Sequence, residues 1–424
     1  MMSVFRFQPR LIESLRDYSR DRFTRDLLAG LTVAVVALPL SIGLGVASGV
    51  SPGAGIYTAV IGGFIVSALG GSRVQIGGPA AAFVGLVYTI IAQYGLPNLL
   101  VCTAMAGVLL FILGAARLGT LIKYIPHPVT TGFTCGIAVS IVVSQLKELF
   151  GLPLEIVPTE FLPRIAALFH GLPGSSGPTI AVGLAAIVVI KVWPKGWGRF
   201  VPGSLVAVVA GTWVVRTFDL EVATIASRFG ENAFPAGLPT FQPLAFDFAH
   251  LGDLIRPAMA LALLGGIESL LSAVVADGMT DDRHDSNQEL MAQGVANFVV
   301  PFFGGIPVTG VLARTATNIR NGAGSPVAGI THALALLAIV LVAAPVAQFI
   351  PLTVLAAVLV VVAFNMGDWQ EFRVLHRHTR SDAAVFLVTF ALTVIFDLTV
   401  AVEVCMILAA GLFASHAARD RIGV

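Results

Sequence analysis

The sequence predicts an all-α polytopic membrane protein, with about fourteen transmembrane segments in a seven-plus-seven inverted-topology repeat. Three observations lead there. Of 424 residues, 56% are hydrophobic and 12% charged, with a mean hydropathy of +0.90. A soluble domain is nearer half apolar and a quarter charged, and could not hide this much apolar surface. Apolar runs of about 17–25 residues recur along the chain. Two short ones, one in each half, open on similar stretches broken by Gly and Pro.

The elements follow in order. Residues 1–26 form a polar, arginine-rich leader, expected as an amphipathic helix on the cytoplasmic face. It lacks a cleavable signal pattern and is expected to be retained. The first span, Leu27–Ser48, carries Pro39 at mid-membrane and Ser41, a candidate cavity-lining residue. Pro52–Leu69 is the second, Ala80–Tyr94 the broken third, Pro97–Gly114 the fourth and Pro128–Phe150 the fifth. Leu152–Pro173 is too polar and Pro-rich to span and is expected at the interface. Spans Thr179–Trp193 and Val201–Thr217 complete a first repeat over residues 27–217.

Residues 218–253 form a mixed connecting loop. The second repeat, residues 254–416, begins with Leu254–Ala276, an acidic turn Asp277–Asp285, and Leu290–Phe303. The broken tenth segment follows, then Ser325–Ala344, Phe349–Phe364, Asp382–Phe396 and Thr399–Ser415. Residues 417–424 are left as a cytoplasmic tail. Seven is odd, so the halves enter the membrane with opposite orientation. The connecting basic residues, Arg73, Arg117, Lys123, Lys191, Lys195, Arg199, Arg373, Arg377, Arg380, Arg419 and Arg421, then all share the leader's side. The positive-inside rule places both termini in the cytoplasm, as for a multi-pass inner-membrane protein.

The broken stretches carry the candidate site. Gly70–Phe83 is extended and Gly-rich, with Pro79 expected as the first helical residue, where its missing N–H costs nothing. Gly304–Asn321 begins extended, offers Thr309 as an expected N-cap, and places Arg314 one turn into a short helix. Interrupted segments in matching halves point to a transporter's substrate site. Two helix N-termini, each worth roughly half a positive charge, can meet one anion, and a guanidinium beside them suits an oxyanion.

Glu268 lies in the middle of the eighth span, where a carboxylate must face a cavity, find a partner or bind a proton. Ser272 is one turn on, on the same face. The pair reads as a coupling-cation site, the alternative being a structural ion pair between Glu268 and Arg314. Thr315, Thr317 and Asn318 read as packing or cavity-lining residues, His127 as an interfacial loop histidine, and Asp397 and Glu403 as outward-facing structural charges. Cys102, Cys135 and Cys405 sit singly in apolar runs, with neither metal-type spacing nor a disulfide framework. No HExxH, G-x-S-x-G or GxxxxGK[ST] motif is present, so neither an enzyme nor an ATP-driven pump is expected. No cofactor and no nucleic acid partner are expected, and the net charge of +1 carries no information about partners.

These residues resemble the SulP, or sulfate permease-like, family of anion transporters. The resemblance rests on residues 30–39 (GLTVAVVALP), Gly77-Gly78-Pro79, residues 266–269 (GIES) with 276–279 (ADGM), and residues 304–307 (GGIP) through 314–318 (RTATN). It covers nearly the whole chain. It implies a core domain from the first four spans of each half and a gate from the last three, and a homodimer transporting inorganic or organic anions. It implies a substrate site at Ala80, Ala81, Ala82 and Phe83, and at Gly310, Val311 and Leu312. Arg314 stands beside these, with Glu268, Ser272 and Thr309 as the coupling-ion group. The cation would be H+, or Na+ bound at Glu268, with no other metal. Two departures stand out. Family members usually carry a STAS domain after the last span, whereas this chain ends at Val424. Sulfate-type relatives often have Pro-Gln where Pro39-Leu40 stands here, which leaves bicarbonate or a dicarboxylate open beside sulfate. Glutamate at position 268, where sodium-coupled bicarbonate relatives tend to have Asp, favours the proton. A passive anion channel or exchanger is the competing reading. A nucleobase permease of the same fold is a further one, which Arg314 disfavours, since a neutral base needs no fixed cation.

Overall fold

The computed structural model describes residues 7–120, 127–154, 157–198, 201–230, 234, 237–245, 251–377 and 379–395. A short α1 (Arg10–Ser14) precedes α2 (Arg20–Ala47), which Ser19 caps by accepting from the Arg22 amide. The next helical run, Pro52–Leu69, is α3 (Pro52–Tyr57) and α4 (Gly63–Leu69) joined through a π-turn at Thr58–Gly62. Then come β1 (Gly77–Gly78), α5 (Phe83–Ala115), α6 (His127–Phe150), α7 (Phe161–Gly171), α8 (Gly177–Val192), α9 (Lys195–Gly198), α10 (Gly203–Thr217) and α11 (Ile225–Phe229). The second half holds α12 (Ile255–Thr280), α13 (Ser286–Val299), β2 (Thr309–Gly310), α14 (Leu312–Arg320), α15 (Pro326–Ala347), α16 (Leu352–Met366), α17 (Trp369–Val374) and α18 (Arg380–Ile395).

Six of the described helices are long and apolar enough to cross a membrane, or seven if α7 and α8, bent by 115°, count as one span. Shorter apolar helices cover Gly203–Thr217, Leu352–Met366 and Asp382–Ile395. The run α5 contains the expected third and fourth segments. They meet at Gly95, whose φ of 81° breaks the helix just before Pro97. The expected fourteenth span, Thr399–Ser415, with Asp397, Glu403 and Cys405, lies outside the described residues, as do Lys123 and Arg199.

The fold is helical apart from one short ladder between the two broken stretches: β1 and β2 pair antiparallel with Gly77 opposite Gly310 and Gly78 opposite Thr309. Backbone at membrane depth has no water to bond, so two extended pieces that meet satisfy each other. Pro79 does not open a helix: residues 79–82 form a turn, and α5 starts at Phe83 after Ala82. Thr309 is not the N-cap of the short helix. It is held in the ladder, and Val311 occupies the N-cap position of α14 without a side-chain cap bond. His127 also belongs to α6 as its first residue rather than to a loop.

The extended arms around the ladder are clamped by side chains. Thr58 accepts from the Ile306 amide at 2.8 Å and donates to the Ile306 carbonyl at 3.1 Å. Asn297 grips Val308 the same way, at 2.9 and 2.7 Å. On the other arm Thr315 accepts from the Ile76 amide and Asn318 donates to the Val74 carbonyl. The Val311 amide donates to the Ile76 carbonyl at 2.8 Å.

Two buried carboxylates hold neighbouring turns, one leading into the first arm and one joining α14 to α15. Glu289, fully buried, accepts from the Gly71 and Ser72 amides and from Gln293 Nε2. Asp26, 1% exposed, accepts from Tyr18 Oη, the Gly324 and Ser325 amides and Ser325 Oγ. Removing such an acceptor leaves buried N–H groups unpaired, at a cost of about 1–3 kcal/mol. Glu289→Ala is therefore expected to lower thermal stability in detergent well below the effect of the neighbouring Met291→Ala. Equal melting of the two variants would show that the carboxylate does not anchor the turn.

Candidate functional site

The ladder works only with glycine at two positions. A Cβ on Gly310 would sit 1.4 Å from Gln75 Nε2, and one on Gly78 would sit 2.2 Å from Arg314 Nη1. Backbone, amide and guanidinium therefore approach one another directly. Gln75 Nε2 donates to Ser269 Oγ and to the Ser269 carbonyl, at 2.9 and 3.0 Å, which ties β1 to α12. On the same helix the Gly265 carbonyl accepts from Thr309 Oγ1 at 2.8 Å. The Phe83 ring packs against Gly265, where an added Cβ would meet it at 3.1 Å. Glu268 is one turn beyond Gly265, on the same face.

The structure thus brings Phe83, Thr309 and Gly310 against α12 at Gly265 and Ser269, the positions one turn before and one residue after Glu268. The Glu268 Oε2 atom is sealed from solvent and has no hydrogen-bond partner. Ser272, 1% exposed, sits 3.5 Å from Thr315 Oγ1. Ala80 is buried, Val311 partly so, and Leu312 is 43% exposed.

Arg314 is 1% exposed, and its Nη2 donates to Ser41 Oγ at 3.2 Å. Its Nε and Nη1 have no partner. The proposed Arg314–Glu268 ion pair is not formed among the contacts of either residue. The cation stands behind β1, unneutralised by any described carboxylate. His332, fully buried on α15, has both ring nitrogens unpartnered as well.

A cavity of about 320 Å³ reaches this region from one end of the bundle. Ala81, Ala82 and Gly85 line its floor at the start of α5, with Ser140, Ser144 and Gln145 of α6 opposite. Ala80, Phe83, Gly310, Val311, Leu312 and Arg314 lie outside its lining. At the mouth stand Lys147, Glu148, Arg164 and Arg228. Arg228 grips Glu148 through both terminal nitrogens, at 3.0 and 3.3 Å. Arg164 donates to the Pro158 and Thr159 carbonyls and lies over the Tyr88 ring. Three cations against one carboxylate leave the entrance positive.

Sequence reasoning did not single out Gln75, Asp26, Glu289, Asn297, His332 or the mouth residues. One signal was available: Glu289, Gln293 and Asn297 recur every four residues, a polar stripe on one face of α13. The mouth was not legible, because α6, α7 and α11 meet only through tertiary packing.

A positive entrance raises the local anion concentration, an effect that fades with salt. Lys147→Glu is expected to raise the KM of anion uptake several-fold at low ionic strength while leaving kcat nearly unchanged. The difference should shrink at high salt. A salt-independent effect would assign Lys147 to packing.

The sulfate permease family model matches residues 23–389. YvdB of Bacillus subtilis (strain 168), provisionally named a sulfate transporter, is 44% identical, covering 93% of this chain and 74% of that protein. The bicarbonate transporter BicA of Picosynechococcus sp. is 33% identical, covering 89% of this chain and 68% of its own. The solved transmembrane domain of a cyanobacterial BicA superposes with a TM-score of 0.82 at 30% identity, covering 91% of this chain and 98% of that domain. SLC26A9 superposes with a TM-score of 0.81 at 20% identity, a likeness of fold alone.

Proposed function

We propose that this chain, a member of the sulfate permease family, is a secondary active transporter carrying a small anion together with H+ or Na+. The observation that carries the reading is the β1–β2 ladder. Being antiparallel, it sets the starts of α5 and α14 at its two opposite ends, both against α12, the helix that bears Glu268 with its unpartnered Oε2. The first amides of a helix lack intrahelical partners and favour anions. A carboxylate at the same depth favours a cation. Anion and cation then stabilise each other in one low-dielectric place, which is what coupling requires.

In this reading the anion enters by the positive mouth, passes Ser140 and Ser144, and settles where Ala81 and Ala82 approach the Thr309–Leu312 strand-to-helix junction. Arg314 acts through the ladder as a fixed positive field rather than as a direct ligand, consistent with its burial and its bond to Ser41. Glu268, with Ser272 and Thr309 beside it, takes the cation. The relatives named for sulfate and bicarbonate make a small oxyanion the first substrate to test, with dicarboxylates next. The wider arrangement we adopt is fourteen spans in two inverted repeats, with both termini cytoplasmic in an inner membrane. A core (the first four spans of each half) moves against a gate, in a homodimer.

Proteoliposomes containing the purified chain should accumulate one of sulfate, bicarbonate, chloride, fumarate or succinate uphill when an H+ or Na+ gradient is imposed. Large anion currents without uphill accumulation under either gradient would make it a channel. Glu268→Gln should still bind the anion but lose the dependence of uptake on the cation gradient. An unchanged dependence would remove Glu268 from coupling.

Arg314→Ala should weaken anion affinity roughly tenfold, the effect of a unit charge acting at about 12 Å through protein of effective dielectric about 20. Adding Glu268→Gln should not restore the stability of that variant, because the two residues share no bond. Recovery in the double variant would show that they are paired scaffolding. Wild-type affinity in a well-folded Arg314→Ala protein would leave the helix termini to bind the anion alone.

A further inference from the structure

A second concavity, of about 620 Å³, lies between α10 on one side and α2 and α15 on the other. Leu38 and Ile42 of α2, Leu205 and Val209 of α10, and Val340 and Ala343 of α15 form its walls. Polar atoms enter its lining at one end only, from Thr212, Trp213, Arg216 and Thr217 in the last turns of α10. The guanidinium of Arg216 is held 4.2 Å from the centroid of the Phe349 ring. It forms no ion pair among the described residues. Trp213 beside it is 63% exposed, an amphipathic ring of the kind that settles at the bilayer interface.

An apolar trough closed at one end by a free cation and an indole matches the polarity of a two-part ligand, with a hydrocarbon tail and an anionic head. In a multi-pass membrane protein the surrounding bilayer supplies such molecules. In the topology adopted above Arg216 stands at the outer end of the seventh span, where a guanidinium can take the phosphodiester of an outer-leaflet lipid in charge-assisted hydrogen bonds. We propose that this groove holds one glycerophospholipid, with an acyl chain in the trough and its phosphodiester on Arg216. The occupant would wedge between α10 and the α2–α15 pair, so its presence would be felt wherever those elements move relative to one another. The assignment depends on membrane embedding and not on the transport chemistry.

The test uses the purified chain in mild detergent, with retained lipid counted by native mass spectrometry after titration with palmitoyl-oleoyl phosphatidylglycerol. The wild type is expected to keep one molecule. Arg216→Gln should weaken retention at least fivefold, and Arg216→Lys should recover part of it. Ala343→Trp fills the trough and should abolish retention. Val209→Trp does the same from the opposite wall, should the first variant fold poorly by size-exclusion profile. Phosphatidylethanolamine, which carries the same phosphodiester, should bind within a few-fold. Inorganic phosphate or glycerol 3-phosphate should not bind. Equal lipid retention by wild type, Arg216→Gln and the tryptophan variants would overturn the proposal. So would binding of phosphate without a tail. Disulfide trapping of Val209→Cys to a second copy, showing that a neighbouring protomer fills the groove, would also overturn it.

Discussion

Extended backbone cannot lie at membrane depth unless every amide and carbonyl finds a partner inside the protein, and this constraint organises the structure. Residues 74–78 and 306–311 run extended through the middle of the chain's apolar helices. Their polar groups are met partly by each other, at Gly77–Gly310 and Gly78–Thr309. Others are met by the Val311 amide and by four side chains, Thr58, Asn297, Thr315 and Asn318. Those four determine where α3–α4, α13 and α14 must stand. The helical framework can then be understood as the support that two broken segments require.

Charge is distributed by the same logic. Asp26 and Glu289 are both buried, and both spend their oxygens on backbone amides at turns, so neither needs a cation. Arg314 and Glu268 differ from them. Each keeps polar atoms without a protein partner, and they do not neutralise each other. Isolated charge at this depth is costly, and the cost falls where two mobile ions of opposite sign could offset it. In the function proposed above, the contrast between satisfied and unsatisfied carboxylates is what separates scaffold from site.

Much of this could be read in the sequence, and what was missed has physical causes. The Gly and Pro breaks at residues 70–83 and 304–311, the apolar runs and the lone Glu268 are local signals, and they mark stretches that the structure brings together at β1, β2 and α12. The boundaries of the broken helices were less legible. Pro79 and Thr309 are good helix starters by propensity, yet the ladder pulled both into extended or turn geometry, which displaced the starts of α5 and α14 to Phe83 and Leu312. An Arg314–Glu268 pair was chemically reasonable, but which buried charges face each other depends on helix rotation. A one-dimensional pattern does not carry that. Gln75 carries no local signal, because its place is set by Gly310, which packs against it from the other broken segment.

The ladder also has a bearing on biogenesis. Its two strands are separated by more than two hundred residues, so the first emerges from the ribosome long before its mate exists. Until then residues 74–78 have no stable place in the lipid interior, and the early helices must wait in an unfinished state with that piece held near water or shielded by the insertion machinery. Closing the pair is a late, long-range event of the kind that slows folding. A lesion in the second broken segment would therefore strand the first half as well, and would reach the cell as failed assembly and degradation before it could be observed as faulty function.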